Sequence, residues 1–339
     1  MSTPAGHHGR GPLRPLAALL SETDEVLRRG TPAGARVWST GFPALDTVLT
    51  GGLRSGELVL LGGPAGQGKT TLGMQLARNA VAAGGTAVVF SYEHESHTLL
   101  ERLISMEAAE LDPGSEVAGV IDVRRALETA DRGESLESVL GALRGGASAL
   151  AALAGYGDRL QVHASSGVTT TLEQVRDGVS RVTEATGQPP LVLLDYIQKV
   201  PVDRPGEDER VAAAAAGFKD LALSAGVPVV AISVADKDAL SAGRRLRAKD
   251  LRGASALAFE ADVVLIVNDK VDIVSREHLL YNLGNIERFR QWSVFSLEKN
   301  RHGKAGVELE FAKDFEHGRF HREGQQVSER LIDHRVFVS

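Results

Sequence analysis

Cysteine is absent from the 339-residue chain. That excludes disulfides, cysteine-ligated zinc and thiol catalysis. No apolar run reaches the roughly 18 residues a membrane-spanning helix needs. The opening residues, Met1 to Arg10, carry no apolar core of the kind a secretory leader requires. A cytoplasmic protein with no membrane contact is expected. Positive charge is also short: 38 Lys and Arg against 44 Asp and Glu give a net charge of −6. Proteins that coat themselves in nucleic acid are usually basic overall. Contact with a polyanion would here need a local positive surface, such as the channel of a ring. What is present, 43% hydrophobic and 24% charged residues, suits a packed core. The length allows one large α/β domain with appendages, or two smaller domains.

The most specific stretch is Gly62-Gly-Pro-Ala-Gly-Gln-Gly-Lys-Thr-Thr71. Gly63, Gly68, Lys69 and Thr70 stand at the spacing of a phosphate-binding loop. Glycines let the backbone N–H groups converge on phosphate oxygens without a Cβ in the way. Lys69 can neutralise the β- and γ-phosphates, and the Thr70 hydroxyl can hold Mg²⁺. Gly63, Pro64, Ala65, Gly66, Gln67, Gly68, Lys69, Thr70 and Thr71 are the expected ATP-binding residues. The flanks agree with this reading. The apolar run Glu57-Leu-Val-Leu-Leu-Gly-Gly63 reads as a buried strand, and Leu72, Leu76 and Ala80 recur at helical spacing after the loop.

Further apolar runs occur at Thr86–Glu93, Leu191–Asp195, Val227–Ser233 and Ala261–Val267. Helical patterns separate them, at Thr98–Glu110, Thr171–Thr186 and Val211–Ala225. Arg159–His163 reads as a short strand and Glu137–Leu153 as one helix. From Trp292 onward the pattern alternates, as hairpin strands do. The expected fold is α/β: a mostly parallel sheet with helices on both faces and an antiparallel C-terminal edge. Residues 1–11 are expected to be disordered, 12–34 to carry an amphipathic helix, 35–320 to form the main domain and 321–339 to be a tail. Ligands of such sheets bind at the carboxyl ends of the strands. Lys69, Glu93, Asp195 and Ser233 all fall there.

Asp195 closes an apolar strand, where a carboxylate can hold Mg²⁺; a turn or cap role is the alternative. Glu93 can deprotonate an attacking water, with Glu95 as the competing candidate. Gln198 can sense a γ-phosphate or be a solvated loop residue. Lys299 and Arg301 can supply the extra positive charge that phosphoryl transfer uses, or can be charges that protect a hairpin edge. Arg244, Arg245, Arg247, Lys249 and Arg252 form a basic segment without interleaved aromatics. It is either a phosphate-contacting surface or a solvated loop.

Together these residues resemble the RecA-like ATPase domain of DnaB-type replicative helicases over residues 12–320. Thr40-Gly-Phe-Pro-Ala-Leu-Asp46 and Gly51-Gly-Leu53 are similar to that family's opening motif. Gly63–Thr71 is similar to its Walker A and Ser91-Tyr-Glu93 to its catalytic-glutamate motif. Asp195-Tyr-Ile-Gln198 is close to its Asp-Tyr-Leu-Gln. Lys299-Asn-Arg301-His-Gly303 is similar to its Lys-x-Arg-x-Gly, which reaches the next subunit's ATP. The resemblance implies a RecA-like P-loop NTPase, ATP and Mg²⁺, and a homo-oligomer built as a six-membered ring. Residues 12–34 would be the linker helix that docks on a neighbour. The family's N-terminal primase-contacting domain is expected to be missing. Ile232-Ser-Val234 replaces the family's Leu-Ser-Gln, and Arg252-Gly-Ala-Ser255 replaces its Arg-Glu-Ser-Gly. Residues 111–158 and 268–290 are longer than usual. Two functions follow: a ring ATPase that moves on single-stranded DNA, or a nucleotide-switched assembly or regulatory ATPase without helicase activity.

Overall fold

The computed structural model describes residues 13–30, 34–114, 116–236, 239, 244–280 and 284–333. The expected disordered stretch 1–11 lies outside them. Helix α1 (Leu16–Arg28) comes first, followed by a small ribbon of β1 (Val37–Trp38) and β2 (Leu53–Arg54) with α2 (Pro43–Val48) between its strands. Strands and helices then alternate: β3 (Leu58–Gly62), α3 (Lys69–Ala82), β4 (Ala87–Ser91), α4 (Ser96–Leu111). Three helices, α5 (Val120–Thr129), α6 (Leu136–Gly141) and α7 (Gly146–Tyr156), precede β5 (Leu160–Ala164). Next come α8 (Leu172–Thr186), β6 (Leu191–Asp195), α9 (Glu207–Ala225), β7 (Val229–Ser233), α10 (Ala254–Glu260) and β8 (Val263–Asp269). Short helices α11 (Lys270–Ile273), α12 (Glu277–Leu280) and α13 (Gly284–Arg290) lead to β9 (Trp292–Asn300), β10 (Val307–Asp314) and β11 (Arg319–Gln326).

Nine strands form the main sheet in the order β11-β10-β9-β8-β3-β7-β6-β4-β5. From β8 to β5 every pairing is parallel; β8–β9, β9–β10 and β10–β11 are antiparallel. The expected antiparallel edge is therefore present, and β11 carries it to Gln326, past the boundary expected at residue 320. Strands β3, β4, β6 and β7 are buried at every position, as their unbroken apolar runs require when both faces are covered. Side chains alternate between faces. Val59 and Leu61 join the core under α3 and α4, while Leu58 and Leu60 join the core under α8 and α9.

The segment 111–158 folds as a subdomain on α4, with Ile104, Ala108, Val117, Val123, Leu140 and Ala149 as a separate apolar cluster. The single helix expected over Glu137–Leu153 is two helices, α6 and α7, joined by a turn. Gly145 has φ of +81°, and a Cβ there would lie 3.0 Å from that of Ala108. The turn thus needs glycine both for its dihedral and for the close approach of α4. At the other end of the chain, Leu331 packs with Val274 and Phe289, and α11 lies against β8 and β9 and α13 against β9.

Helix α3 is anchored at its far end by buried charge. Arg78 donates two hydrogen bonds to Glu107 of α4, at 2.5 and 2.7 Å, and the Tyr156 hydroxyl of α7 donates to the same carboxylate at 2.5 Å. Glu110 forms ion pairs with Arg319 and Arg322 of β11, at 3.1 and 2.7 Å. Removing one partner of such a pair leaves an uncompensated buried charge. Arg78→Ala is expected to lower stability by about 3–5 kcal/mol, measured by urea unfolding. A loss below about 1 kcal/mol would assign the pair no structural role.

Candidate active site

The loop between β3 and α3 has positive φ at Gly63, Gly66 and Gly68. Two of these glycines also meet close neighbours. A Cβ on Gly63 would lie 2.5 Å from the Val267 carbonyl oxygen, and one on Gly68 would strike the rings of Phe315 and Phe320 at 2.7–2.8 Å. No side chain caps the 14-residue helix α3, so its first N–H groups face the loop's concavity. Such a terminus is an anion site. The Lys69 ammonium sits in the same concavity and donates to the carbonyls of Gly63 and Pro64, at 2.9 and 2.8 Å. Burial pulls its pKa down, and the charges of Asp195 and Glu93 pull it back up.

Thr70 Oγ1 donates to Asp195 Oδ2 at 2.8 Å. Asp195 ends β6 and is 2% exposed, and its other oxygen, Oδ1, has no hydrogen-bond partner. Burial raises its pKa to about 6; Glu93 adds to the rise, while the Thr70 hydrogen bond, Lys69 and Arg102 oppose it. An orphaned carboxylate oxygen beside a hydroxyl is a donor set suited to Mg²⁺. Glu93 lies just beyond β4, exposed at the mouth of the site. Its carboxylate, His94 and Asp195 each offer a polar atom within 4.8 Å of the others. Glu95 is exposed at the start of α4 and outside that group.

Sequence reasoning passed over two residues here. Arg102 of α4 faces the site: it acts electrostatically on Asp195 and feels both Asp195 and Glu93. Among the described residues its guanidinium makes no ion pair. Burial lowers its pKa. The one available signal was an arginine set inside the Leu99-Leu100, Leu103-Ile104 stripe of its helix. His94 was hidden by lying next to a stronger candidate.

Gln198 is placed differently from its neighbours. Its amide nitrogen donates to Ser233 Oγ at 2.8 Å and to the Arg252 carbonyl at 3.1 Å, and its oxygen accepts from Val234 N at 3.3 Å. It ties the end of β6 to the end of β7 and to the basic segment.

Lys299 and Arg301 sit at the opposite end of the sheet. Lys299 Nζ donates to the Ala258 carbonyl at 2.7 Å. Arg301 donates to Asp262 Oδ1 at 3.1 Å, and Asp262 Oδ2 accepts from Leu58 N, the first residue of β3, at 2.8 Å. The phosphate loop starts at the other end of that strand, a rise of about 13 Å away. Arg301 is 47% exposed and faces away from its own loop.

The basic segment is largely neutralised from within. Arg244 pairs with Asp250. Arg245 is 5% exposed and pairs with Glu308, with a further bond to Ser296. Arg247 bonds Glu298 at 3.2 Å and Asp333 at 2.5 Å. Arg252 bonds Glu207 at 3.0 Å and approaches Asp236 at 3.6 Å. Lys249 alone of the five has no ion pair among the described residues.

The raised Asp195 pKa sets a pH dependence. The free carboxyl titrates near 3.8, so the folded chain keeps a proton that the unfolded chain releases. This contribution to stability is full below about pH 4 and is lost as pH climbs through about 6. A cation needs the ionised form. Mg²⁺-dependent nucleotide affinity should therefore rise through about pH 6 and level off above about 7. Titration calorimetry of wild type against Asp195→Asn checks this; identical pH profiles would refute it.

A family model for the DnaB-like helicase C-terminal domain matches residues 38–321. Replicative DNA helicase DnaB of Treponema pallidum is 28% identical over 284 residues, which is 82% of this chain and 54% of that protein. The chain thus spans about half the length of the curated relatives it matches. A DnaB-like replicative helicase, solved for its interactions with primase, superposes with a TM-score of 0.68 at 17% identity, over 89% of this chain and 67% of that one. A separately solved ATPase domain gives 0.67 at 17% identity, over 90% and 96%. These likenesses establish the RecA-like ATPase fold. With its family model covering most of the sequence, the chain belongs to the DnaB-like helicase C-terminal domain family.

Proposed function

We propose that this protein is an ATP hydrolase that works as a ring, each nucleotide site being completed by a neighbouring copy. The observation that carries this reading is the separation of Lys69 and Arg301 to opposite ends of one sheet. Lys69, the α3 amides and Arg102 bind and neutralise the triphosphate. Thr70 and Asp195 would hold Mg²⁺, which screens charge on the β- and γ-phosphate oxygens when bound. Glu93 takes the proton from the attacking water. Arg301 and Lys299 lie too far from their own loop and serve the site of the next subunit, where such a cation is worth about 10³–10⁵ in rate. Helix α1 supports assembly: none of its residues is buried, and Leu16, Leu20 and Leu27 are 70%, 63% and 57% exposed. Its apolar stripe is suited to docking on a neighbour. Six subunits follow from the family resemblance, and the same resemblance points to the cytoplasm. Among the described residues, no helix is long and apolar enough to cross a membrane.

Mixing tests the shared site. If Arg301 acts between subunits, Arg301→Ala chains mixed into wild type should depress hydrolysis more steeply than their fraction. Activity linear in the wild-type fraction would mean independent sites.

Single-stranded DNA is the polymer the family points to, and the Gln198 bridge from Asp195's strand to Arg252 would carry nucleotide state to the basic segment. The internal ion pairs of Arg244, Arg245, Arg247 and Arg252 favour the second reading, an assembly or regulatory ATPase that needs no DNA. ATPase rate measured with and without single-stranded DNA across a salt series separates the two. A translocase should be stimulated, with binding that weakens steeply as salt rises. Unchanged rates with no salt-dependent binding would leave the regulatory reading.

A further inference from the structure

Glu93 and His94 stand at the end of β4 and Asp195 at the end of β6, and the two strand ends are tied together. Tyr92 N donates to the Asp195 carbonyl at 2.6 Å. His94 N donates to Ser91 Oγ at 2.9 Å, closing the turn that carries both ligands. The Tyr92 hydroxyl fixes the same turn to the Thr170 carbonyl at 2.9 Å. One polar atom from each of Glu93, His94 and Asp195 lies within 4.8 Å of the other two. Asp195 is 2% exposed, Thr70 occupies its Oδ2, and its Oδ1 is buried without a partner. The cluster thus combines a buried carboxylate oxygen, an imidazole nitrogen and an exposed carboxylate.

We propose that Glu93, His94 and Asp195 form a binding site for a divalent transition metal of the zinc or cobalt type. Its occupancy would switch the ATPase off. Nitrogen donors suit Zn²⁺, Co²⁺ and Ni²⁺, whereas Mg²⁺ prefers oxygen and keeps its waters. A zinc ion holds N and O ligands about 2.0–2.2 Å away, which places ligand atoms roughly 3–4 Å apart. Glu93 is exposed and His94 half-buried, so both side chains have room to change rotamer as the ligand atoms draw together. Two protein groups then change role. Asp195 Oδ1 gains the partner it lacks. Glu93 becomes a ligand and cannot accept a proton from water. Metal binding needs only the geometry of the three side chains; the loss of turnover rests on Glu93 being the base of the proposed hydrolysis.

The experiment is a Co²⁺ and Zn²⁺ titration of the nucleotide-free protein, followed by calorimetry and by the visible absorption of bound cobalt. The sequence has ten histidines, so the site is read from the difference between wild type and variants. One tight equivalent per chain is expected, weakened at least tenfold in His94→Ala, in His94→Gln and in Glu93→Gln. Circular dichroism confirms that each variant is folded. Binding in either folded His94 variant equal to wild type would overturn the site. A second arm measures Mg²⁺-ATP turnover with one equivalent of Zn²⁺, expected to fall at least tenfold in wild type and to recover with a chelator. Binding through His94 without loss of turnover would leave the metal site standing and overturn Glu93 as the base.

Discussion

The hydrogen bond from Thr70 to Asp195 is the contact on which the site depends. It joins the first turn of α3 to the end of β6, two elements brought together only by the strand order of the sheet. Asp195 is deeply buried, so its charged form is costly, and the threonine hydroxyl is the one neutral donor that offsets the cost. Lys69 and Arg102 add opposite charge nearby, and Glu93 works against them. The carboxylate therefore ionises only as pH rises through about 6, and a bound divalent cation would stabilise that ionised form.

The same sheet separates functions along its length. Its carboxyl rim gathers the phosphate loop, Glu93, Asp195 and Gln198. Its opposite end gathers Asp262, which receives the Leu58 amide, the Lys219 ammonium at 2.6 Å and Arg301. Asp262 is thus both the foot of β3 and the clamp on the outward-facing arginine. The strand that positions the phosphate loop at one end fixes the arginine's stance at the other. A ring of such units would stack each subunit's outward arginine against the next subunit's loop.

Much of this could be read from the residues because buried parallel strands leave continuous apolar runs, and each functional group closes one: Asp195 after Leu191–Leu194, Ser233 after Val229–Ile232. The antiparallel edge was equally legible in its alternation. The segment 111–158 was not. Its break at Gly145 depends on how near Ala108 and Val117 come, and nothing local reveals that. Arg102 escaped for a similar reason. Its relation to Asp195 reaches across α5 to α8 in sequence and exists only through the order β6-β4. The basic segment was the least legible. Its run of cations from Arg244 to Arg252 fits a surface for a polyanion or a solvated loop, and the acids that pair with them come largely from α9, β9, β10 and the C-terminal segment, which nothing local reveals.

Those acids have a consequence for any ligand that approaches the segment. Asp333 accepts from Arg247 through its side chain and from the Arg245 amide through its carbonyl, at 2.9 Å. It is a competitor covalently tethered to the residues it competes for. Its effective concentration is of millimolar order or above and does not fall on dilution. A polyanion arriving from solution therefore meets arginines that already have counterions of their own. Only a ligand that delivers several phosphates at once can displace carboxylates that never diffuse away.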